Sequence, residues 1–544
     1  MFDMFHSAST NRRRLLQGAL GTLGLANCLL AEQPSTESNR AYEAAIIVEG
    51  GKKIGTASPL VFGSMLENFG SYAKPNDQRN GTYGSVWVGE GSPLPNLRGM
   101  RRDVLEACRR LGPTIIRWPG GTPAGVYHWK EGVGPQAKRV PALATWEPNL
   151  IEPYTFGTHE FIDFCGEIGA APYLNVNVGT GSPEEAANWV EYCNRVGKTR
   201  YATLRAFNGH QEPFGVKYWG MGNELYNEAE VGRMNAEQHA QTVIAYAGIM
   251  RRVDSDIKIV AGGDERPNCL SDDWNRLLLQ NAGHIIDFIS MHPYYSEDDH
   301  YRLVACPLQA EIMVKNMGEL IDKFKTETAG GAQPRRVLIA VDEWDSWHGT
   351  AGPYYKLQLS DGLFSAGMFH VFLRNCNRVG MASYCDMVNS DPCGMIVADT
   401  NRLYIDPMGL AFELYRHHSG TTVLDVKTEV ASYDVGKISG TPVNWVPYLD
   451  CVATIDEQRG KLYIATINRH KDQNIRGDVD LRDLDVNKTG IVRELNAPDV
   501  TTANDFDSPN EVAVREHSVT VVGPRFEYVF PAHSATLIEL SLRS

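Results

Sequence analysis

The 544-residue chain is short of positive charge: 52 Lys and Arg stand against 66 Asp and Glu, a formal net charge of −14 at pH 7. That balance offers nucleic-acid phosphates no basic footprint, so no nucleic-acid partner is expected. The signs are interspersed, without the long single-sign block that forms a solvated tail. Ten cysteines are present, but no CxxC pair and no Cys/His spacing of a zinc site. Most are expected as small core residues. Cys385 and Cys393 lie near enough in sequence to pair, which spacing alone does not decide. Past residue 31 no apolar stretch is long enough to span a bilayer. No Gly-rich nucleotide loop follows the first strand, and neither an internal repeat nor a low-complexity tract is found.

At the N-terminus, Asn11-Arg12-Arg13-Arg14-Leu15-Leu16-Gln17 precedes an apolar, Gly/Ala-rich run to Ala31. This looks like a twin-arginine export signal, and predicts a periplasmic or extracellular protein with no membrane attachment once the signal is removed. The alternative is a short helix kept in the mature chain. Residues 32–42 are polar and read as a linker. A strand at Ala44 to Val48, within a segment 43–57, is stopped by Gly50-Gly51.

An alternation then sets in across residues 58–419. Apolar runs of strand length occur at Leu60 to Met65, Thr114 to Arg117, Ala171 to Val178, Val216 to Met221, Ile257 to Ala261, Phe288 to Met291, Val337 to Val341 and Met381 to Val388. Between them lie segments of helical period, such as Met100 to Leu111, Pro183 to Val196, Ala236 to Val253 and Tyr355 to Val379. Strands alternating with helices make parallel βαβ units, and eight of them predict a closed (β/α)8 TIM barrel, with an open doubly wound sheet as the alternative. Residues 420–544 change character: short β-branched runs separated by Gly, Pro, Asn and Asp predict a C-terminal antiparallel β-sandwich, which the early strand could complete.

Two apolar runs end in carboxyls: Lys217-Tyr218-Trp219-Gly220-Met221-Gly222-Asn223-Glu224 and Val337-Leu338-Ile339-Ala340-Val341-Asp342-Glu343-Trp344. In a barrel both would reach the same rim, on the fourth and seventh strands, and two carboxyls at one rim suffice for glycoside hydrolysis. These stretches, with Phe62-Gly63-Ser64-Met65-Leu66-Glu67, Arg117-Trp118-Pro119-Gly120-Gly121, Tyr127-His128-Trp129, Ser290-Met291-His292-Pro293-Tyr294 and Ala503 to Pro509, resemble glycoside hydrolase family 51, the retaining α-L-arabinofuranosidases. The resemblance covers nearly the whole chain behind the signal.

It implies an exo-acting enzyme that removes terminal α-L-arabinofuranosyl groups from arabinose-containing plant polysaccharides or oligosaccharides. It also implies neither cofactor nor metal and, as in many members, a homo-oligomer. Position by position, Glu224 resembles the general acid/base and Glu343 the nucleophile. Asn223 resembles the residue that holds the sugar 2-hydroxyl, Glu67 the carboxylate for the far hydroxyls, and Arg117 and Tyr294 neighbours of the nucleophile. Trp347 resembles an aromatic wall for the leaving sugar. For His292 a core histidine and a site role stay open. The ionised nucleophile is expected to raise the pKa of Glu224.

Two positions depart from the family. Thr122 stands where Asn or Cys usually meets the sugar, and after Met387-Val388-Asn389 the family's substrate-binding glutamine gives way to Ser390-Asp391-Pro392. The Gly-, Asn- and Pro-rich segment Tyr72 to Pro95 is expected to form a loop over the pocket. The alternatives are the same machinery acting on another furanoside or a β-glucan, and a carbohydrate-binding protein that has lost catalysis.

Overall fold

In the computed structural model of the protein, residues 42–543 are described apart from 69–80, 146–149, 267, 270–272, 328–335, 348–355, 391–393 and 522. The export-like segment, most of the linker, much of the Tyr72 to Pro95 loop and Cys393 therefore lie outside the described residues, and with Cys393 the question of its pairing with Cys385.

After strand β1 (Tyr42–Thr56), eight short strands alternate with helices: β2 (Gly63–Met65), β3 (Ile115–Trp118), β4 (Ala171–Val176), β5 (Tyr218–Met221), β6 (Lys258–Gly262), β7 (Phe288–Ser290), β8 (Leu338–Trp347) and β9 (Val379–Tyr384). Each pairs in parallel with the next. Strand β9 returns to β2 through Ser383 opposite Gly63, which closes the predicted (β/α)8 barrel. Because helices cover the outside, strands such as β3 and β9 are buried at every residue, which is why they read as apolar runs without alternation. Ile115, Tyr173, Val260, Phe288, Ala340 and Met381 fill the inside as one packed layer. Above that layer the interior turns polar.

The helices begin where side chains satisfy free backbone groups. Helix Ala236–Val253 starts at a reciprocal cap in which Gln238 N donates to Asn235 Oδ1 (2.9 Å) and Asn235 N to Gln238 Oε1 (3.0 Å). Among the described residues no helix is long and apolar enough to cross a membrane.

Strands β10 (Thr422–Glu429), β11 (Leu449–Asp456), β12 (Lys461–Asn468), β13 (Ile475–Arg482), β14 (Val486–Asn496), β15 (Ala513–Thr520), β16 (Arg525–Phe530) and β17 (Ser534–Leu542) form a nine-stranded sheet with β1, in the order β15-β14-β17-β12-β11-β10-β1-β13-β16. Ile46, Val48, Leu424, Ile464, Val479, Val492 and Ile538 meet in one apolar cluster, so strands distant along the sheet share an inner face. All pairings are antiparallel except β1 with β13, where Tyr42 to Glu49 run parallel to Ile475 to Arg482.

Helix Leu359–Arg374 is buried almost throughout and packs on both β8 and strands β11, β12 and β17. Its last turn meets a polar clamp. Arg374 Nη1 donates to Asp450 Oδ1 (2.7 Å), and Arg469 Nη2 donates to Asp450 Oδ2 (2.8 Å) and Nε to Val304 O (3.0 Å). Burial alone would push Asp450 up, but the two guanidinium groups and His370 hold it well below the usual carboxylate range.

Candidate functional site

Strand β5 ends in a turn that few residues could make. Gly222 has φ 75°, and a Cβ there would meet Leu225 and Val178 at 3.0 Å. Glu224 itself sits at φ 39°, a left-handed conformation that costs a side-chain-bearing residue about 1–3 kcal/mol. The turn lifts Asn223 and Glu224 to the carboxyl end of the barrel, where such strain serves positioning rather than stability.

Strand β8 uses a different device. Val341 lies opposite Ala382 but Trp344 opposite Tyr384, so one extra residue is inserted in β8. A bulge breaks strict in–out alternation. Asp342 and Glu343, adjacent in sequence, therefore both reach the site, while Trp344 packs edge-on against Phe369, Phe372 and Tyr384.

Glu343 is 5% exposed and each of its oxygens receives a donor. Arg117 Nη1 donates to Oε1, and Tyr294 Oη donates to Oε2 at 2.7 Å. Arg117 Nη2 also donates to Asn223 Oδ1 (2.9 Å), which fixes the amide so that Nδ2 faces Glu230 Oε1 (3.3 Å). His292 lies between the two glutamates, its Nδ1 2.9 Å from Glu224 Oε1 and 3.4 Å from Glu343 Oε2. Its Nε2 is 3.0 Å from Ser290 Oγ and 3.4 Å from Asp342 Oδ1. One oxygen of Glu224, one ring nitrogen of His292 and one oxygen of Glu343 all lie within 4.8 Å of one another, a spacing that could also hold a cation.

The charges are ordered by this contact set. Burial would strip the proton from His292, but Glu343, Asp342 and Glu224 outweigh it and raise its pKa well above the ordinary imidazole value. Asp342 would likewise be pushed up by burial, yet His292 and Arg117 bring it down to about 2. For Glu224 the expectation is reversed: burial raises it, but hydrogen bonds from His292 and Asn227 (3.1 Å) and the charge of Arg117 leave it below the usual value. The imidazolium is in direct contact with Glu224, and proximity decides.

The structure places Glu67 at the end of β2, where its Oε1 accepts from Gly121 N at 3.0 Å. Gly121 marks the point of convergence: a Cβ there would stand 2.7 Å from Glu67 Oε1, 3.2 Å from Glu343 Oε1 and 3.5 Å from Asn223 Nδ2. Thr122 donates to Glu230 Oε1 (2.7 Å), so its hydroxyl is directed to that carboxyl rather than to Glu343. The side chain of Trp347 lies outside the described residues.

Four site residues escape the sequence reading. Asp342 was visible in the Asp-Glu-Trp stretch but had no separate signal, and Tyr173, whose hydroxyl donates to Asp342 Oδ2 (2.7 Å), looks like one more apolar strand residue. Glu230 sits in a polar loop that nothing in its neighbourhood distinguishes. Asp386 follows β9 directly, just before the Met387-Val388-Asn389 landmark, and is 1% exposed.

Family models match in two blocks, an α-L-arabinofuranosidase 1 domain over residues 107–306 and an α-L-arabinofuranosidase C-terminal domain over residues 342–534. The chain is 31% identical over 528 residues to α-L-arabinofuranosidase C of Emericella nidulans, covering 92% of this chain and 98% of that one. It is 28% identical over 539 residues to an intracellular exo-α-L-arabinofuranosidase of Bacteroides ovatus, covering 95% and 99%. Among solved structures, the α-L-arabinofuranosidase of Thermotoga maritima in its arabinose complex superposes with a TM-score of 0.82 at 35% identity, covering 91% of this chain and 99% of that one. The family 51 enzyme of Thermotoga petrophila gives 0.82 at 34%, with 91% and 100% covered. The Bacteroides relative corrects the expectation of export: a protein matched over almost its whole length is intracellular, and the arginine-led N-terminus does not establish a periplasmic or extracellular destination.

Proposed function

The chain belongs to glycoside hydrolase family 51, the α-L-arabinofuranosidases, and from that premise we propose a residue-by-residue account of how it hydrolyses arabinofuranosides. Its substrate is an arabinose-containing polysaccharide or oligosaccharide, from which it removes terminal non-reducing α-L-arabinofuranosyl groups. The observation that carries the mechanism is that one oxygen of Glu224 and one of Glu343 lie within 4.8 Å of each other, with His292 Nδ1 between them. A retaining pair stands about 5–5.5 Å apart, whereas an inverting pair needs about 6.5–9.5 Å to admit a water.

Glu343, clasped by Arg117 and Tyr294, attacks the anomeric carbon and forms the glycosyl ester. Glu224 protonates the leaving oxygen. Its proton is stored next door: in the free enzyme His292 and Glu224 hold one proton across a 2.9 Å hydrogen bond, and transfer from Nδ1 to Oε1 produces the acid. Once the ester neutralises Glu343, Glu224 takes a proton from water and the ester is hydrolysed with net retention. Asn223, locked by Arg117, presents its amide nitrogen to the sugar 2-hydroxyl, a contact that strengthens as charge builds at the anomeric carbon.

A panel of 4-nitrophenyl α-L-arabinofuranoside, the corresponding galactofuranoside and a soluble β-glucan tests the reading. Release from the first and little from the others is the expected pattern; no release from the first removes the assignment.

A further inference from the structure

Glu152 is a buried acid that the mechanism above leaves without work, and its surroundings are unusual for a carboxyl. It lies 8% exposed in a short hairpin, opposite Ala142, and among the described residues no cation pairs with it. Three uncharged donors meet it instead. Asn68 Nδ2 donates to Oε2 at 2.5 Å, and Tyr83 Oη and Tyr154 N donate to Oε1 at 2.5 and 2.8 Å. A carboxyl withdrawn from water without a cation is costly, so what this one returns is geometry: three donors fixed in direction at one point.

Two of those donors flank the backbone that carries Glu67. Asn68 directly follows Glu67, and its N donates to Pro119 O at 2.9 Å. Tyr83 directly follows Thr82, whose N and Oγ1 both donate to Glu67 O, at 3.0 and 2.6 Å. Glu67, Asn68, Thr82 and Tyr83 are all buried. The carboxyl of Glu67 in turn accepts from Gly121 N, where it borders Glu343. We propose that Glu152 is a positioning residue for the reaction: by clasping Asn68 and Tyr83 it fixes Glu67 at the sugar site, although it touches neither catalytic glutamate. The inference rests on the arabinofuranosidase reading and adds to it a support that lies outside the barrel strands.

A further detail sets which replacements the clasp tolerates. Asn68 Oδ1 is buried without a hydrogen-bond partner. Turning the amide offers Oδ1 to Glu152 in place of Nδ2. An ionised Oε2 therefore accepts from Asn68, and a protonated one donates to it. Burial raises Glu152 to about 7, so both forms occur in the neutral range and both are met. A glutamine fits the same geometry, its Oε1 accepting from Tyr83 and Tyr154 and its Nε2 donating to the turned Asn68. Alanine offers none of these contacts.

The test is kcat/KM for 4-nitrophenyl α-L-arabinofuranoside on the full chain, with the unfolding midpoint recorded for each variant. Glu152→Gln should stay within about twofold of the unsubstituted enzyme. Glu152→Ala should lose about tenfold, the equivalent of one hydrogen bond to the sugar. Asn68→Ala removes only the link beside Glu67, should lose a comparable amount, and decides the matter if Glu152→Ala does not fold. In a Glu67→Ala background either alanine should cost less than about twofold more, because the group it positions is gone. The proposal is overturned if the alanine variants keep full kcat/KM, if Glu152→Gln is as impaired as Glu152→Ala, or if the losses are the same with and without Glu67, as a general weakening of the fold would make them. An unsubstituted enzyme that releases nothing from this substrate refutes the arabinofuranosidase reading instead, so the two failures are distinct.

Discussion

In the proposed mechanism a nucleophile and a proton donor of the same chemical kind must carry different charges at one pH, and His292 is the side chain placed to set the difference. It lies between both carboxylates and holds a proton against the pull of its own burial; in the proposed mechanism it passes that proton to Glu224, because Glu343 already receives Arg117 and Tyr294. Glu343→Ala should lower kcat by about 10³-fold or more on every substrate, whereas Glu224→Ala should lose about 10²–10⁴-fold on sugar leaving groups and far less on 4-nitrophenolate, which needs no proton. Azide separates the two roles in one experiment. It should yield the glycosyl azide of retained configuration from Glu224→Ala and of inverted configuration from Glu343→Ala; the reverse pairing would show the roles exchanged. Both glutamates were legible because each ends an apolar run. Asp386 was not, because a lone acid after an apolar strand gives no sign of its burial, which depends on how the end of β9 is tied to the end of β2. Nor could sequence foresee the lowered pKa of Glu224, since the contact with His292 joins strand ends 68 residues apart.

At the scale of the element, the eight barrel strands and helix Ala236–Val253 follow from hydrophobic run length and period, since burial on both faces leaves no other pattern. What pattern does not encode is register. The bulge in β8 is invisible in Val-Asp-Glu-Trp, yet without it Asp342 or Glu343 would face the wrong way. The direction of β1 is equally hidden, because its parallel partner β13 lies over 400 residues away and is chosen by which edge of the sheet remains open. The join between barrel and sheet depends on Asp450, the shared acceptor of Arg374 and Arg469. Asp450→Leu leaves the buried Arg469 guanidinium without its carboxylate, and Arg374 with Glu311 alone, and should cost about 3–5 kcal/mol of stability in denaturant melts. The charge-conserving Asp450→Glu should recover part of that. A loss below about 1 kcal/mol for the leucine variant would mean the clamp contributes nothing.

For the molecule as a whole, the buried acids make stability depend on pH with a definite sign. Burial lifts Glu152, Glu230 and Glu265 to about 7 and Asp386 to about 8, while His292 is lifted by its carboxylate neighbours. An unfolded chain releases the same carboxyl protons near 4 and the imidazole proton near 6.5. Above pH 6.5 the folded state therefore binds more protons than the unfolded one, and stability falls as pH rises. Four other histidines, His159, His239, His300 and His418, are lowered to about 4 by burial and act in the opposite sense, but only between pH 4 and 6.5, where the unfolded chain protonates and the folded one does not. The window from 6.5 to 8 thus holds contributions of one sign from these groups. The calorimetric unfolding midpoint should be lower at pH 8 than at pH 6.5 by roughly 2–5 °C, and Asp386→Asn should shrink the difference, because its amide takes no part in the titration. A midpoint that is level or rises across that window would show that these carboxyls do not hold their protons in the folded protein.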